Sequence, residues 1–455
     1  MSTKHSKAAA EFLKNKKQAA WHDETLWLVR AKRDRLSKEV PEWEELRNMA
    51  CATKLYSNSH LDELLVEFEN NARANGAHVY WAKDADEYCN IVYNILNQHG
   101  VKHFIKSKSM LAEECELNPF LESKGIEVVE SDLGERILQL MHLKPSHIVL
   151  PAIHIKREQV GELFEREMGT EKGNFDPTYL THAARKNLRQ KFIHAEAAMT
   201  GANFAVASTG EIVVCTNEGN ADMGTSQPKL QIAAFGMEKI VPDRESLGVF
   251  TRLLARSATG QPITTYTSHY RKTREGVVLH IIIVDNGRSK ILADPKHIKT
   301  LNCIRCGACM NTCPVYRRSG GYSYTYFIPG PIGINLGMLK APLHYYDNVS
   351  ACSLCYSCSF VCPAKVDLAE QIYLWRQDLD KLGKADRMKK VMSGGMEFMM
   401  KRPSIFNMAL KWAPLVNGVP RFLIYNGLND WGKGREMPKF AKESFNEMWK
   451  KGKVK

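Results

Sequence analysis

The chain has 455 residues, 44% of them apolar and 25% charged, with a formal net charge of +13. These are ordinary values for a soluble globular protein of two or three domains. The longest apolar run, around Val277–Val284, is broken by His280 and is far too short to cross a membrane. The opening "MSTKHSKAAAEFLKNKKQAAW" is basic without an apolar core, so no secretory signal is legible and a cytoplasmic protein is expected.

Residues 1–55 are expected to form a helical arm. "AAAEFLKNKKQAAW" and "ETLWLVRAKRDRLSKEV" place apolar residues at three- and four-residue intervals, and Pro41 opens a further helix, "PEWEELRNMA". From 56 to 297 helices and β-rich runs alternate. "HLDELLVEFENNARANG", "DADEYCNIVYNILNQHG" and "SMLAEECELNPFLESKG" read as helices; "AHVYWA", "VKHFIKS" and "IEVVES" read as the strands between them. "PSHIVLPA", "NFAVASTG", "EIVVCTN", "QIAAFG" and "VVLHIIIVD" add further strands. This alternation predicts an α/β layer structure with a largely parallel sheet.

Residues 298–380 hold two cysteine motifs, and 381–455 form a basic tail with 17 Lys or Arg against 6 Asp or Glu. A solvated surface accounts for that charge, and so would an acidic partner or anionic headgroups. No nucleic-acid-binding signature accompanies it, so nucleic acid is not an expected partner. Six of the 18 methionines lie between Met388 and Met408; core packing is the expected use, with an adaptable protein interface as the alternative.

Clustered thiols in a reducing compartment bind metal or do chemistry. Cys51, Cys89, Cys115 and Cys215 are scattered and read as small buried hydrophobes. The other eight cysteines form two near copies, "CIRCGACMNTCP" and "CSLCYSCSFVCP", each C-x2-C-x2-C-x3-C-P. Three cysteines at i, i+3 and i+6 wrap one tight loop around a compact cluster, and this is the bacterial ferredoxin run. Structural zinc prefers two C-x2-C pairs split by a longer insert. In two-cluster ferredoxins the fourth cysteine of each run ligates the other cluster. One [4Fe–4S] cluster is therefore expected on Cys303, Cys306, Cys309 and Cys362, and a second on Cys352, Cys355, Cys358 and Cys313. The 49-residue offset between the motifs resembles the helical ferredoxin modules of respiratory-type iron–sulfur subunits. "KVDLAEQIYLWRQDLDKL" supplies such a helix, with Leu368, Ile372, Trp375 and Leu379 on one face. No dinucleotide fingerprint, phosphate loop or H-E-x-x-H run is present, so the chain reads as an electron relay without a complete catalytic site of its own.

The motifs "KSKSM" (106–110), "ESDLGERILQL" (130–140), "PSHIVLPAIH" (145–154), "STGEIVVCTNEGN" (208–220), "CIRCGACMNTCPVYRRSGGY" and "IPGPIG" (328–333) go further. With them the chain resembles the lactate utilisation protein B family, the iron–sulfur subunits of bacterial L-lactate oxidation. The resemblance implies a LUD domain over 56–297, similar in fold to the sugar-phosphate isomerase and CoA-transferase group. It also implies two partner proteins, one with CCG domains and one a second LUD-domain protein, that act with this chain to oxidise L-lactate to pyruvate. A quinone or membrane-surface acceptor would place the protein at the inner face of the membrane. The rival expectation is an autonomous enzyme on a phosphorylated or CoA-linked substrate, with structural clusters.

Within the LUD region, "STGEIVVCTNEGN" reads as two strands turning at Thr209–Gly210, followed by the loop Asn217, Glu218, Gly219 and Asn220. Glu218 is a candidate acid or base, with turn capping as the alternative. His147 and His154 are candidate proton carriers or structural histidines. Lys106 and Lys108 could meet a carboxylate, or simply lie in a solvated loop.

Overall fold

The most apolar runs of the chain become the central strands of its main sheet. In the computed structural model, which describes residues 4–384, 387–425 and 438–454, ten strands form two sheets. They are β1 (His78–Ala82), β2 (His103–Lys106), β3 (Glu127–Glu130), β4 (Ala197–Gly201), β5 (Phe204–Val206), β6 (Glu211–Thr216), β7 (Leu230–Gly236), β8 (Ile240–Val241), β9 (Tyr266–Tyr270) and β10 (Val278–Val284). The large sheet has the order β1-β10-β7-β4-β2-β3, and every pairing in it is parallel. Both faces of such a sheet are covered, which is why "VLHIIIV" and "LQIAAFG" are almost wholly apolar.

Successive residues of β10 feed opposite layers. Ile282 and Val284 pack with Tyr88, Val92, Leu96 and Leu121 of the helices on one face. Ile281 and Ile283 pack with Leu61, Leu65 and Phe68 of the helix Leu61–Ala74 on the other. The second sheet, β8-β5-β6-β9, packs on that face through Ala205 and Ile212. Its β5–β6 hairpin turns at Gly210 (φ +66°), as the sequence predicts, where an added Cβ would strike the backbone of Ala72.

The fold forms two compact units, residues 1–378 and 379–455. In the first, the arm does more than flank the body. Arg33 Nη2 donates to the carbonyl of Val361 (2.9 Å), and Arg47 donates to Cys362 O (3.0 Å) and Phe360 O (2.8 Å). Arg317 pairs with Asp23 at 2.8 Å, and His22 meets the carbonyl of Arg317 at 3.0 Å. The arm therefore clamps the segments that carry the cysteines. Hydrogen bonds from charged donors are each worth about 1.5–3 kcal/mol.

The second unit consists of short helices, among them Arg387–Met400, Pro403–Trp412 and Phe445–Lys450. Residues 385–386, 426–437 and 455 of the predicted basic tail lie outside the described residues, as do 1–3 of the arm. No helix among the described residues is long and apolar enough to cross a membrane.

Four local expectations are corrected. The helix after Pro41 is Trp43–Ser59, with Glu42 at the N-cap position, so Pro41 stands in the preceding turn. "PSHIVLPA" is not a strand but a run of bends and turns. The amides of Val149 and Leu150, which a strand would give to a neighbour, are taken by His147 Nδ1 at 3.0 and 3.1 Å. "SMLAEECELNPFLESKG" forms two helices, Met110–Glu114 and Leu117–Ser123, broken at Glu116 with φ +54°. Four of the six tail methionines, Met392, Met396, Met400 and Met408, are exposed rather than packed in a core.

Candidate cluster-binding loops and the adjoining cavity

Each cysteine run folds as a tight loop followed by one short helix, Ala308–Thr312 in the first and Ser357–Val361 in the second. The loops need left-handed backbone: Arg305 (φ +61°), Gly307 (+74°), Leu354 (+53°) and Tyr356 (+59°) all adopt it. At Gly307 the requirement is also steric, since a Cβ there would lie 3.0 Å from the ring of His147.

The thiols gather crosswise between the two runs. Cys303, Cys306, Cys309 and Cys362 line one small cavity, walled by Ile148, Ile332 and Leu368. Burial pushes the Cys306 thiol up to about 12, with Cys362 and Cys303 adding to it. Cys362 is held at about 11 by burial and Cys303. In the other group, burial raises Cys313 to about 11, with Cys352 and Cys355 contributing. Cys358 is raised by burial and then by Cys313, Cys352 and Cys355.

Backbone amides already point at sulfur: Leu354 N to Cys352 (3.3 Å), Val366 N to Cys362 (3.4 Å) and Tyr316 N to Cys313 (3.5 Å). Among the described residues no three His, Cys, Asp or Glu converge closely enough to hold a single metal ion. Two quartets of thiols with amides aimed at sulfur fit iron–sulfur cubes, which are wider than one ion and whose iron keeps coordinating thiols deprotonated.

A second cavity, of about 330 Å³, adjoins the first run. It lies at the carboxyl ends of the large sheet, where ligands of open α/β sheets bind. Ser107–Ser109 beyond β2, Asp132 beyond β3, Gly201–Asn203 at the end of β4 and Gly236 at the end of β7 all border it. Thr216–Glu218 at the end of β6 line another side, and Arg305 and Cys306 of the cysteine loop close it.

Beside Cys303 the chain buries an unusual set of charges. Arg288 pairs with Glu114 at 3.0 Å and with Glu238, which also lies 3.8 Å from Arg305. Lys54 is buried and donates to the carbonyl of Glu238, and burial lowers it to about 8. Lys239 is lowered to about 8 by burial, opposed by Glu238 and reinforced by Arg305. Four cations thus face two carboxylates, and Arg288 with Arg305 holds Glu238 ionised, at about 2, against its burial. The cysteine pattern says nothing of this cluster; the signal was a basic residue inside the loop, in "CIRC", and charged residues within the apolar "GMEKI".

The residues singled out from the sequence fare differently. Lys106 does not line this cavity: it is buried and paired with Glu130 at 2.7 Å. Lys108 lines the cavity and lies 3.5 Å from Glu135. Glu218 also lines it and accepts from Leu133 N at 3.0 Å, at the start of the helix Leu133–Leu140 that Asp132 caps. Burial and the neighbouring Asp132 raise Glu218 to about 7.

His147 is structural. Its Nδ1 accepts two amides, so Nε2 carries the proton and donates to Asn311 Oδ1 (3.0 Å), and burial lowers it to about 3. Asn311 in turn donates to Ala258 O at 2.9 Å, tying the helix Arg244–Thr259 to the cysteine loop. His154 sits between Ser146 (2.6 Å) and Tyr322 (2.9 Å), and burial lowers it to about 4. Cys89 and Cys115 are buried as expected, whereas Cys51 and Cys215 are half-buried, and Cys215 lines the large cavity.

Comparison with known proteins agrees with this division. Residues 65–291 match the LUD domain, and residues 299–366 match the 4Fe-4S dicluster domain, so iron–sulfur clusters are the groups these loops accommodate. A Bacillus pumilus protein named lactate utilization protein B is 40% identical over 428 residues, covering 91% of this chain and 90% of that one. Proteins of the same name from Bacillus cytotoxicus and Bacillus cereus are each 39% identical, over 91% and 90% of this chain and 90% and 89% of their own. A solved DUF162 family protein from Deinococcus radiodurans aligns with 49% of this chain and 98% of its own, at 16% identity and a TM-score of 0.28. With a LUD domain of parallel-sheet α/β architecture, a dicluster domain behind it and relatives alike over nine-tenths of its length, this chain belongs to the lactate utilization protein B family.

Proposed function

We propose that this chain is the iron–sulfur electron-transfer subunit of a system that oxidises L-lactate to pyruvate and supports growth on lactate. Cys303, Cys306, Cys309 and Cys362 would hold one [4Fe–4S] cluster, and Cys352, Cys355, Cys358 and Cys313 the other. When bound, such clusters supply one-electron transfer. The chain's own residues hold the second run, which supplies thiols to both groups: Arg33, Arg47 and Arg376 grip the carbonyls of Val361, Phe360, Cys362 and Cys352.

The observation that carries this reading is the contrast in depth. Three thiols of the first group are buried beside the cavity, whereas Cys355 of the second is exposed, with Phe360 exposed on the same run. Electrons would arrive on the buried side and leave at the exposed one. The partners are a CCG-domain iron–sulfur protein and a second LUD-domain protein, with a quinone or membrane-surface acceptor beyond them. Exposed Met392, Met396, Phe398 and Trp412 beside basic residues suit the tail to such docking.

Anaerobically purified protein should be brown, carry about eight irons and show reducible paramagnetic centres. A deletion strain should fail on L-lactate while growing on other carbon sources. Colourless protein after anaerobic reconstitution, or undiminished growth on L-lactate, rules the proposal out. The rival reading, an enzyme with structural clusters, has the large cavity in its favour and requires turnover by the isolated chain.

A further inference from the structure

The large cavity contains polar groups that the relay does not use. Arg305 Nη1 is buried without a hydrogen-bond partner, on a side chain only 10% exposed. Arg305 borders both the cavity and the buried thiol quartet. Lys239 lines the same cavity, and no carboxylate lies within ion-pairing distance of its amine among the described residues. Glu238 beside it is already committed to Arg288 and Arg305. The cavity is also lined by two carboxyl groups, Asp132 and Glu218, each accepting a backbone amide, and by Lys108. A volume of about 330 Å³ lies in the range of small-molecule sites.

From this arrangement we infer that the cavity binds a small 2-hydroxy- or 2-oxo-carboxylate, its carboxylate held by Lys239 and Arg305 and its oxygen substituent turned toward Asp132 and Glu218. The donors suit the anion: Arg offers a planar fork for a carboxylate, and a lysine with no committed partner completes the charge. Asp132 and Glu218 can accept from a hydroxyl, and Lys108 lines the cavity beside them, so phosphate is the competing anion that the test must exclude. A ligand there would lie against Cys306, so the buried cluster would report its presence.

The choice of carboxylate rests on the lactate reading; the site itself rests on the cavity and its unpaired donors. The test titrates anaerobic, cluster-loaded full-length protein with L-lactate, pyruvate and inorganic phosphate. Calorimetry reads binding, and electron paramagnetic resonance reads the reduced clusters. Saturable binding of L-lactate or pyruvate is expected, with a shift in one cluster signal. Lys239→Met should weaken it at least tenfold, while Lys172→Met at an exposed site leaves it unchanged.

Absence of saturable carboxylate binding overturns the inference, as does tighter binding of phosphate or unchanged affinity in Lys239→Met. If Lys239→Met loses its iron, the wild-type titration alone decides. If Lys239→Met lowers a cluster potential while the wild type takes up no carboxylate, the cations serve only the cluster and the site is refuted. Protein that holds its iron and passes electrons yet binds no carboxylate would refute the site and leave the relay standing.

Discussion

The two cysteine runs are near copies in sequence, yet the thiol groups they form are unlike in surroundings. The group of Cys303, Cys306, Cys309 and Cys362 is walled by Ile148, Ile332 and Leu368 and flanked by four cations, of which Lys54 and Arg288 are buried and Lys239 and Arg305 line the large cavity. The group of Cys313, Cys352, Cys355 and Cys358 has only Cys358 fully buried, and Cys355 is open to solvent. Cluster potentials follow burial, charge and hydrogen bonding to sulfur. Under the proposed relay, the same eight cysteines would serve two different steps of one path. The lesson is that spacing specifies which group is held, while the surrounding fold specifies how it behaves.

Removing one thiol from each group should separate them most sharply. Cys355→Ser should cost about half of the roughly eight irons and leave the buried centre detectable. Cys306→Ser should cost the complementary half and abolish lactate-dependent electron output. In air, iron should leave the exposed group first, giving two-phase bleaching of the visible absorbance; one uniform phase would erase the difference between the groups.

A smaller effect tests the clamp on the second run. Arg47→Ala removes two charged hydrogen bonds, to Phe360 O and Cys362 O. The loss should be about 3–6 kcal/mol, read as a lower denaturant midpoint with an unchanged slope. A midpoint equal to that of the parent would mean the arm does not hold the loop.

The smallest effect concerns the cavity side, which only the buried group faces. Burial raises Glu135 to about 7, against the pull of Lys108. The folded state then binds more protons than the unfolded one between about pH 4.5 and 7. This contribution is full below that window and is lost as pH rises through it. Glu135→Gln should remove a pH-dependent loss on the order of 1–3 kcal/mol. Melting temperatures of parent and variant at pH 5 and pH 7 check this, and parallel shifts in both would show that Glu135 is not the group responsible.

Much of the fold was legible because it follows from local pattern. β1, β2, β3, β6, β7 and β10 announce themselves as short β-branched or aromatic runs between helical periods. β4, "AAMTG", and β9, "YTSHY", do not: one is small and the other polar, and each is a strand because a neighbouring strand pairs with it. "PSHIVLPA" misleads in the opposite sense, since His147, on the same segment, captures the amides that would have made it a strand. Lys106 looked available for a ligand, but Glu130, 24 residues away in the chain, takes it into the interior.

What the sequence determined by itself was the thiol pattern and the layered parallel sheet, because three-residue spacing and the succession of helical and β-rich runs are properties of residues near one another in the chain. The depth of each thiol group, the cavity at the sheet's carboxyl edge and the meeting of Lys54, Lys239, Arg288 and Arg305 beside Cys303 were decided by tertiary structure. Those side chains come from segments up to 251 residues apart. Burial and Coulomb interaction depend on distance in space, which no periodicity along the chain encodes.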